Sequence, residues 1–270
     1  MCVILLAHRA HPEYPLILAA NRDEFYERPT ARAAFWSDDE DTLAGRDLER
    51  GGTWLGVTRG GRVAAITNYR EPGLRISDAP SRGLLVSRFL SGGLDAGEYL
   101  SKLSDEASLY NGFNLIAGAG GRLHYFSNRG GGPREIEPGV HGLSNHLLDT
   151  PWPKVERGRR ALAGLIEGGG PISVEEIFEI LADDARAQDE ALPETGVGLE
   201  LERMLSPLFI ESPVYGTRSS TVVLFNHQGE VSFIERTFGR KDDEQGDVRY
   251  EFKIRSRRDE SHTRAGVRRA

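Results

Sequence analysis

The chain has 270 residues, 34 Lys plus Arg against 41 Asp plus Glu, a formal charge of −7 and 39% apolar residues. That suffices for one large domain or two small ones with a real core. The mild acidity argues against nucleic acid as the main partner, since phosphates draw a positive surface. No run of 18 apolar residues is present to span a membrane. The single cysteine rules out an internal disulfide or a Cys-rich metal cluster, and with no secretory-type leader the expected compartment is the cytoplasm.

In chain order, CVILLAH (2–8) and LILAAN (16–21) are apolar runs joined by RAHPEYP, which reads as two paired strands. TWLGVT and RVAAITN flank Gly60-Gly61, a firm hairpin signal. After Pro80, the stretch from SRGLLVSRFL to Leu103 predicts one or two helices. NGFNLIAGAGGRLHYFSN repeats the hairpin pattern around Gly120-Gly121. PKVERGRRALAGLI sets Val155, Leu162, Leu165 and Ile166 on one side of a helix that starts beside a proline. SVEEIFEILAD opens with a capping box, Ser173 and Glu176. The polar stretch 183–198 reads as surface loop, and LELERMLSP as a short helix ending before Pro207. STVVLFNHQGEVSFIERTF predicts a third hairpin around His227-Gln228-Gly229, and DVRYEFKI one more strand. Strands, helix, strands, helices, strands is an α+β order without a dinucleotide fingerprint. One domain over 1–256 is expected, followed by a polar, flexible tail at 257–270.

Chemistry is suggested first by Cys2. A small residue after Met1 permits removal of that methionine, and the freed α-amine would then serve as base to its own thiol. Asn21-Arg22-Asp23-Glu24 follows the second apolar run. A strand beside the first would bring Arg22 near Cys2 to favour the thiolate, and Asp23 near it to hold the α-ammonium. Thr67-Asn68-Tyr69-Arg70 closes another strand, where Asn68 is a candidate oxyanion donor, with Asn145 and Asn114 as comparable candidates. Arg218 precedes the strand TVVLF. Phe25, Tyr26, Trp36, Tyr69 and Trp152 either line an apolar pocket or anchor the core, and loops 71–77 and 125–133 could form its mouth. The scattered histidines lack metal-pair spacing, so no metal site is expected, while His141 or His146 could ligate haem axially.

Taken together, Cys2, NRDE, GGTWLG, TNYR, NGFNL, GLSN and YGTRSST resemble the NRDE family, which includes the eukaryotic Transport and Golgi organisation 2 proteins, over Cys2 to about Arg236. The resemblance implies a four-layer αββα sandwich like that of N-terminal nucleophile (Ntn) hydrolases, with two stacked antiparallel sheets flanked by helices. It also implies acyl chemistry on amide or thioester bonds of a small acylated substrate. Cys2 would be the nucleophile, Arg22 and Asp23 its charged pair, and Asn68, Asn145 and Arg218 auxiliary catalytic positions. Asn21, Glu24, Tyr69 and Trp152 would bind substrate, and no cofactor is required. The family's eukaryotic members are linked to haem movement and lipid balance. The alternatives are therefore a non-catalytic carrier of haem or an acylated ligand in the same cleft, or an adaptor.

Overall fold

The computed structural model describes residues 2–239 and 246–255, so the tail expected at 257–270 lies outside the described residues. The first half of the chain forms β1 (Cys2–His8), β2 (Leu16–Phe25), β3 (Thr30–Phe35), β4 (Thr42–Asp47), β5 (Leu55–Thr58), β6 (Arg62–Asn68), α1 (Gly83–Ser91) and α2 (Ala96–Glu106). There follow β7 (Phe113–Ala119), β8 (Arg122–Ser127), β9 (Arg134–Glu135), β10 (Gly139–Leu143), α3 (Pro153–Glu167), α4 (Val174–Leu181) and α5 (Leu199–Met204). The last strands are β11 (Tyr215–Phe225), β12 (Glu230–Thr237) and β13 (Gly246–Lys253). One sheet runs β10-β1-β2-β11-β12-β13 and the other β3-β4-β5-β6-β7-β8-β9. Every pairing is antiparallel.

Side-chain alternation along the strands decides how the layers stack. Ile4, Leu6, Leu16, Leu18 and Ala20 meet Val57, Val63, Ala65 and Ile116 of the facing sheet in a central core. Val3, Leu5, Ala7, Ile17 and Ala19 point the other way, onto Leu162 and Ile166 of α3 and Ile177, Phe178 and Leu181 of α4. The outer face of the second sheet, with Ala64, Ile66 and Leu115, packs on Leu85, Val86 and Phe89 of α1 and on Leu100 and Leu103 of α2. Helix, sheet, sheet, helix is the expected αββα sandwich. It explains why CVILLA is apolar without alternation: both faces of β1 are covered.

All three hairpins form where the glycine-bearing turns predict them. The stretch after Pro80 gives two helices, α2 being capped by Asp95 accepting from the Glu98 N–H, and Ser173 caps α4 through the Glu176 N–H. Two readings change. Asn21 to Glu24 lie within β2, which runs on to Phe25, so the charged run is strand and not the turn behind one. β3, β4, β9 and β10 were not anticipated. Among the described residues no helix is long and apolar enough to cross a membrane.

The fit of α3 on β1 rests on a missing side chain. A Cβ on Gly158 would lie 2.8 Å from Leu5 Cδ1 and 2.9 Å from Leu208 Cδ2, inside a packed layer. Gly158→Val should therefore lower the unfolding free energy by about 1–3 kcal/mol despite the gain expected from replacing a helical glycine. Urea unfolding measures it, and an unchanged or raised midpoint would refute this account of the packing.

Candidate active site

The β1–β2 register places Cys2 directly opposite Arg22. The β2–β11 register places Ser219 on the other side of Arg22, across a bulge at Arg218, and Thr237 of β12 pairs with Ser219. Cys2, Arg22, Ser219 and Thr237 therefore form one row across four strands. By alternation that row faces the space between the sheets, one step beyond Ile4 and Ala20.

Cys2 is half-buried and free. Burial pushes its thiol up and the nearby Asp23 carboxylate acts in the same direction, while the N-terminal charge, a backbone N–H of Asp23 and, least, the Arg22 charge oppose them without prevailing. The resting sulfur is thus a protonated thiol that needs a base. Arg22 is 5% exposed and stacks on Trp54, 4.2 Å from the ring centroid. Burial lowers its pKa while Glu24 and Cys2 raise it, yet a guanidinium keeps its charge at neutral pH.

Asp23 is buried, its Oδ1 accepting from Thr217 Oγ1 at 2.8 Å and its carbonyl from the Tyr215 hydroxyl at 3.0 Å. Burial raises its carboxyl, and the strongest opposing charge is Lys154. That lysine follows Pro153 in the first turn of α3 and is 2% exposed, with no hydrogen-bond partner for Nζ among the described residues. Burial pulls it down to about 8 against the attraction of Asp23. Beside it Arg70 pairs with Glu202 at 2.6 Å, both side chains 5% exposed, and stacks on Trp152. Glu202 also accepts from the Thr195 N–H and hydroxyl, fastening α5 and the loop before it over the end of β6.

A hydrogen-bond chain ties the second sheet to Cys2. Tyr125 donates to Asn114, Asn114 to Thr67 Oγ1, and Thr67 to the Ser144 carbonyl. Ser144 Oγ donates to the Cys2 carbonyl at 3.1 Å and lies 3.2 Å from Asn145 Oδ1. Asn145 Nδ2 donates to the Asn68 carbonyl, which leaves it one further N–H. Asn114 is spent inside this chain and is a structural residue. The Asn68 side chain is half-buried and makes no side-chain hydrogen bond to a described residue. The two loops expected at the mouth are joined, Arg129 bonding Glu71 through two nitrogens at 2.6 Å each.

Other expected site residues separate. Asn21 faces the helices, donating to the carbonyls of Leu181 and Leu208 and accepting from Ser220, so it is a buried strut and not a substrate contact. Glu24 accepts from the Phe25 N–H and lies 3.8 Å from Arg28, close enough to Arg22 to act on its charge. Arg218 donates to the carbonyls of Phe25 and Tyr26, clamping the end of β2. Trp36 is a core anchor whose indole donates to the Ala44 carbonyl. Tyr69 and Trp152 flank His146, with ring centroids 4.8 and 5.6 Å away. His141 is withdrawn as a haem ligand: its Nδ1 binds Asp149, its Nε2 binds the Glu137 carbonyl, and Asp149 holds its pKa up. His146 commits only Nδ1, to Thr150, and burial keeps it neutral. No group of three or more His, Cys, Asp or Glu suited to a metal occurs among the described residues.

The Transport and Golgi organisation 2 family matches residues 1–240. The chain belongs to that family. It is 39% identical to the human Transport and Golgi organization protein 2 homolog, covering 95% of this chain and 100% of the relative. It is 30% identical to the Drosophila melanogaster Transport and Golgi organization protein 2, covering 88% and 92%. A variant of the conjugated bile acid hydrolase from Clostridium perfringens superposes with a TM-score of 0.49 at 11% identity, covering 94% and 98%.

Two residues of this family member escaped the sequence reading. Lys154 reads as an ordinary helix-start lysine, yet it is 2% exposed and shares a small cavity with Trp152, Pro193 and Leu205. Arg82, which donates to the Gly112 carbonyl, lies within the field of Glu24 and Cys2. The folded pKa of Lys154, about 8, lies below its ordinary 10.5, so between those values the unfolded chain holds a proton that the folded protein has released. Its contribution to stability therefore grows as pH rises through that window, by up to about 3 kcal/mol. Unfolding at pH 7.5 to 10.5 should show wild type gaining on Lys154→Met by that order. A constant difference would mean that Lys154 titrates normally.

Proposed function

We propose that the chain is an N-terminal-cysteine hydrolase or acyl-transfer enzyme acting on an amide or thioester bond of a small acylated substrate. The reading is carried by the register that sets a protonated Cys2 thiol against Arg22 and the Asp23 N–H, next to a buried Asp23 carboxyl. After removal of Met1, the α-amine of Cys2 stands on the same Cα as the thiol, with an ordinary pKa of about 7.7–8.0. It takes the thiol proton as sulfur adds to the carbonyl carbon. The Asn68 amide and the remaining Asn145 N–H donate to the oxygen that gains the electron pair. Collapse re-forms the carbonyl and expels the amine or thiol, which leaves with the proton from the α-ammonium. Water then adds to the Cys2 thioester, giving its proton to the α-amine, and the second collapse returns the acid and the thiol. Asp23 holds the ammonium between steps, and the charge of Lys154 favours its ionised form against burial. Intact mass of the purified protein should be lower by one methionine, with one cysteine-directed label on Cys2. Cys2→Ala should lose turnover of acyl amides or thioesters by at least roughly a thousandfold with its unfolding midpoint preserved. Retained Met1, or an unreactive Cys2 in the folded protein, would overturn the mechanism.

A carrier reading keeps one specific support, the neutral His146 with an uncommitted Nε2 between Tyr69 and Trp152. If it holds, added haem gives a Soret band that His146→Ala displaces and His141→Ala does not. A spectrum insensitive to His146 removes it.

A further inference from the structure

A second chemical feature lies along the Cys2 row, away from the nucleophile. Among the described residues, Arg22 Nη1, Arg32 Nε, Arg218 Nε and Thr237 Oγ1 are buried without a hydrogen-bond partner, and all four residues line one cavity. Ser219 borders the same cavity, its Oγ beside the Glu235 carboxyl without a well-formed hydrogen bond. A buried donor left unmade costs about 1–3 kcal/mol, and more when charged. Such donors gathered around one space call for an acceptor.

The space is small and positive. It measures about 30 Å³, against the roughly 10–15 Å³ that one water needs. Three guanidinium groups face one carboxyl, Glu235, which already accepts from the Ala33 N–H at 2.7 Å. Arg32 is braced from outside, its Nη2 donating to the Gly246 carbonyl. Arg22 and Ser219 are 5% and 4% exposed, so the back of the cavity is closed to solvent, and the Arg22 guanidinium lies over the Trp54 ring. Planar guanidinium groups with hydroxyls between them suit an oxyanion group, which accepts through several oxygens at once.

We propose that this cavity binds the oxyanion group, carboxylate or phosphate, of the ligand whose acyl carbonyl is presented to Cys2. The placement rests on the reading of Cys2 as nucleophile; the anion site itself does not. Arg22 is one strand from Cys2, Ser219 two and Thr237 three, at roughly 4.8 Å per strand. The substrate class is thus an amide or thioester with an anionic arm reaching about 5–14 Å from the reacting carbonyl.

Two measurements separate the anion site from the nucleophile. Calorimetry of the full chain with succinate and with inorganic phosphate, at constant ionic strength in chloride, reads the site alone. Saturable binding of either anion, weakened about tenfold or more in Arg32→Gln and in Thr237→Val, is expected, and the tighter of the two identifies the arm. Heat from neither anion, or equal binding in both variants, leaves the cavity to water and overturns the proposal. Alkylation of Cys2 by 3-maleimidopropionate against uncharged N-ethylmaleimide reads the placement. A preference for the anionic reagent of about tenfold, lost in both variants and suppressed by the bound anion, is expected. Anion binding without that preference would retain the site and sever it from Cys2. An inert Cys2 with intact anion binding would instead overturn the nucleophile reading.

Discussion

The site depends on the antiparallel register between β1 and β2. A strand has a side-chain period of two, so a slip of one residue in β1 would turn Cys2 onto the helix layer and bring Val3 into the space between the sheets, and a slip in β2 would do the same to Arg22 and Asn21. Either slip is prevented by the apolar residues further along the same strands. Ile4, Leu6, Leu18 and Ala20 fill the central core while Val3, Leu5, Ile17 and Ala19 fill the outer one. A displaced register would also break the Asn21 bonds to Leu181 and Leu208, which are buried and have no water to replace them. Core packing and site geometry are therefore one constraint.

The second constraint is the concentration of charge in a dry place. Arg22, Asp23, Arg70, Lys154 and Glu202 are all nearly inaccessible, and ions removed from water are tolerated only when they are paired or hydrogen-bonded. Arg70 and Glu202 solve this by pairing, and in doing so hold α5 in place. Arg22 solves it in part by lying flat on Trp54. Lys154 is the least provided for, which is why burial brings its pKa into the range where proton transfer is useful. Poor solvation here raises the Cys2 thiol and the Asp23 carboxyl and lowers the Lys154 amine.

Much of this was legible in sequence because it is local. Glycine-bearing turns marked three hairpins, Ser173 marked the start of α4, and the apolar runs marked β1 and β2. β10 escaped because GVHGL has two glycines and a histidine in five residues. It is a strand because β1 offers it an edge, with Leu143 opposite Ile4. β3 and β4 escaped similarly, TARAAF and TLAGRD having little apolar alternation of their own. Cys2, Arg22 and Asp23 were readable as a group because neighbouring strands carry them. Lys154 was not, since its surroundings include Pro193, Glu202 and Leu205 from some forty to fifty residues further on. The same limit misassigned Asn21: its residue type suggested a site, but strand parity decides which face it serves.

The protonated thiol and the donor-lined cavity act on one another. Arg22 is the charge most directly opposite Cys2, and whatever it gives to an anion in the cavity it withdraws from a thiolate. Binding of an anionic arm would therefore push the thiol further toward its neutral form at the moment the carbonyl arrives. A mechanism that relied on a preformed thiolate would be weakened by its own substrate. One in which the proton leaves as sulfur attacks would not, because the negative charge passes to the carbonyl oxygen, near the Asn68 and Asn145 donors, without residing on sulfur. On the proposed reading of Cys2 as the nucleophile, this favours general-base catalysis by the adjacent amine over a standing ion pair, with Arg22 binding and orienting and the proton left to the amine.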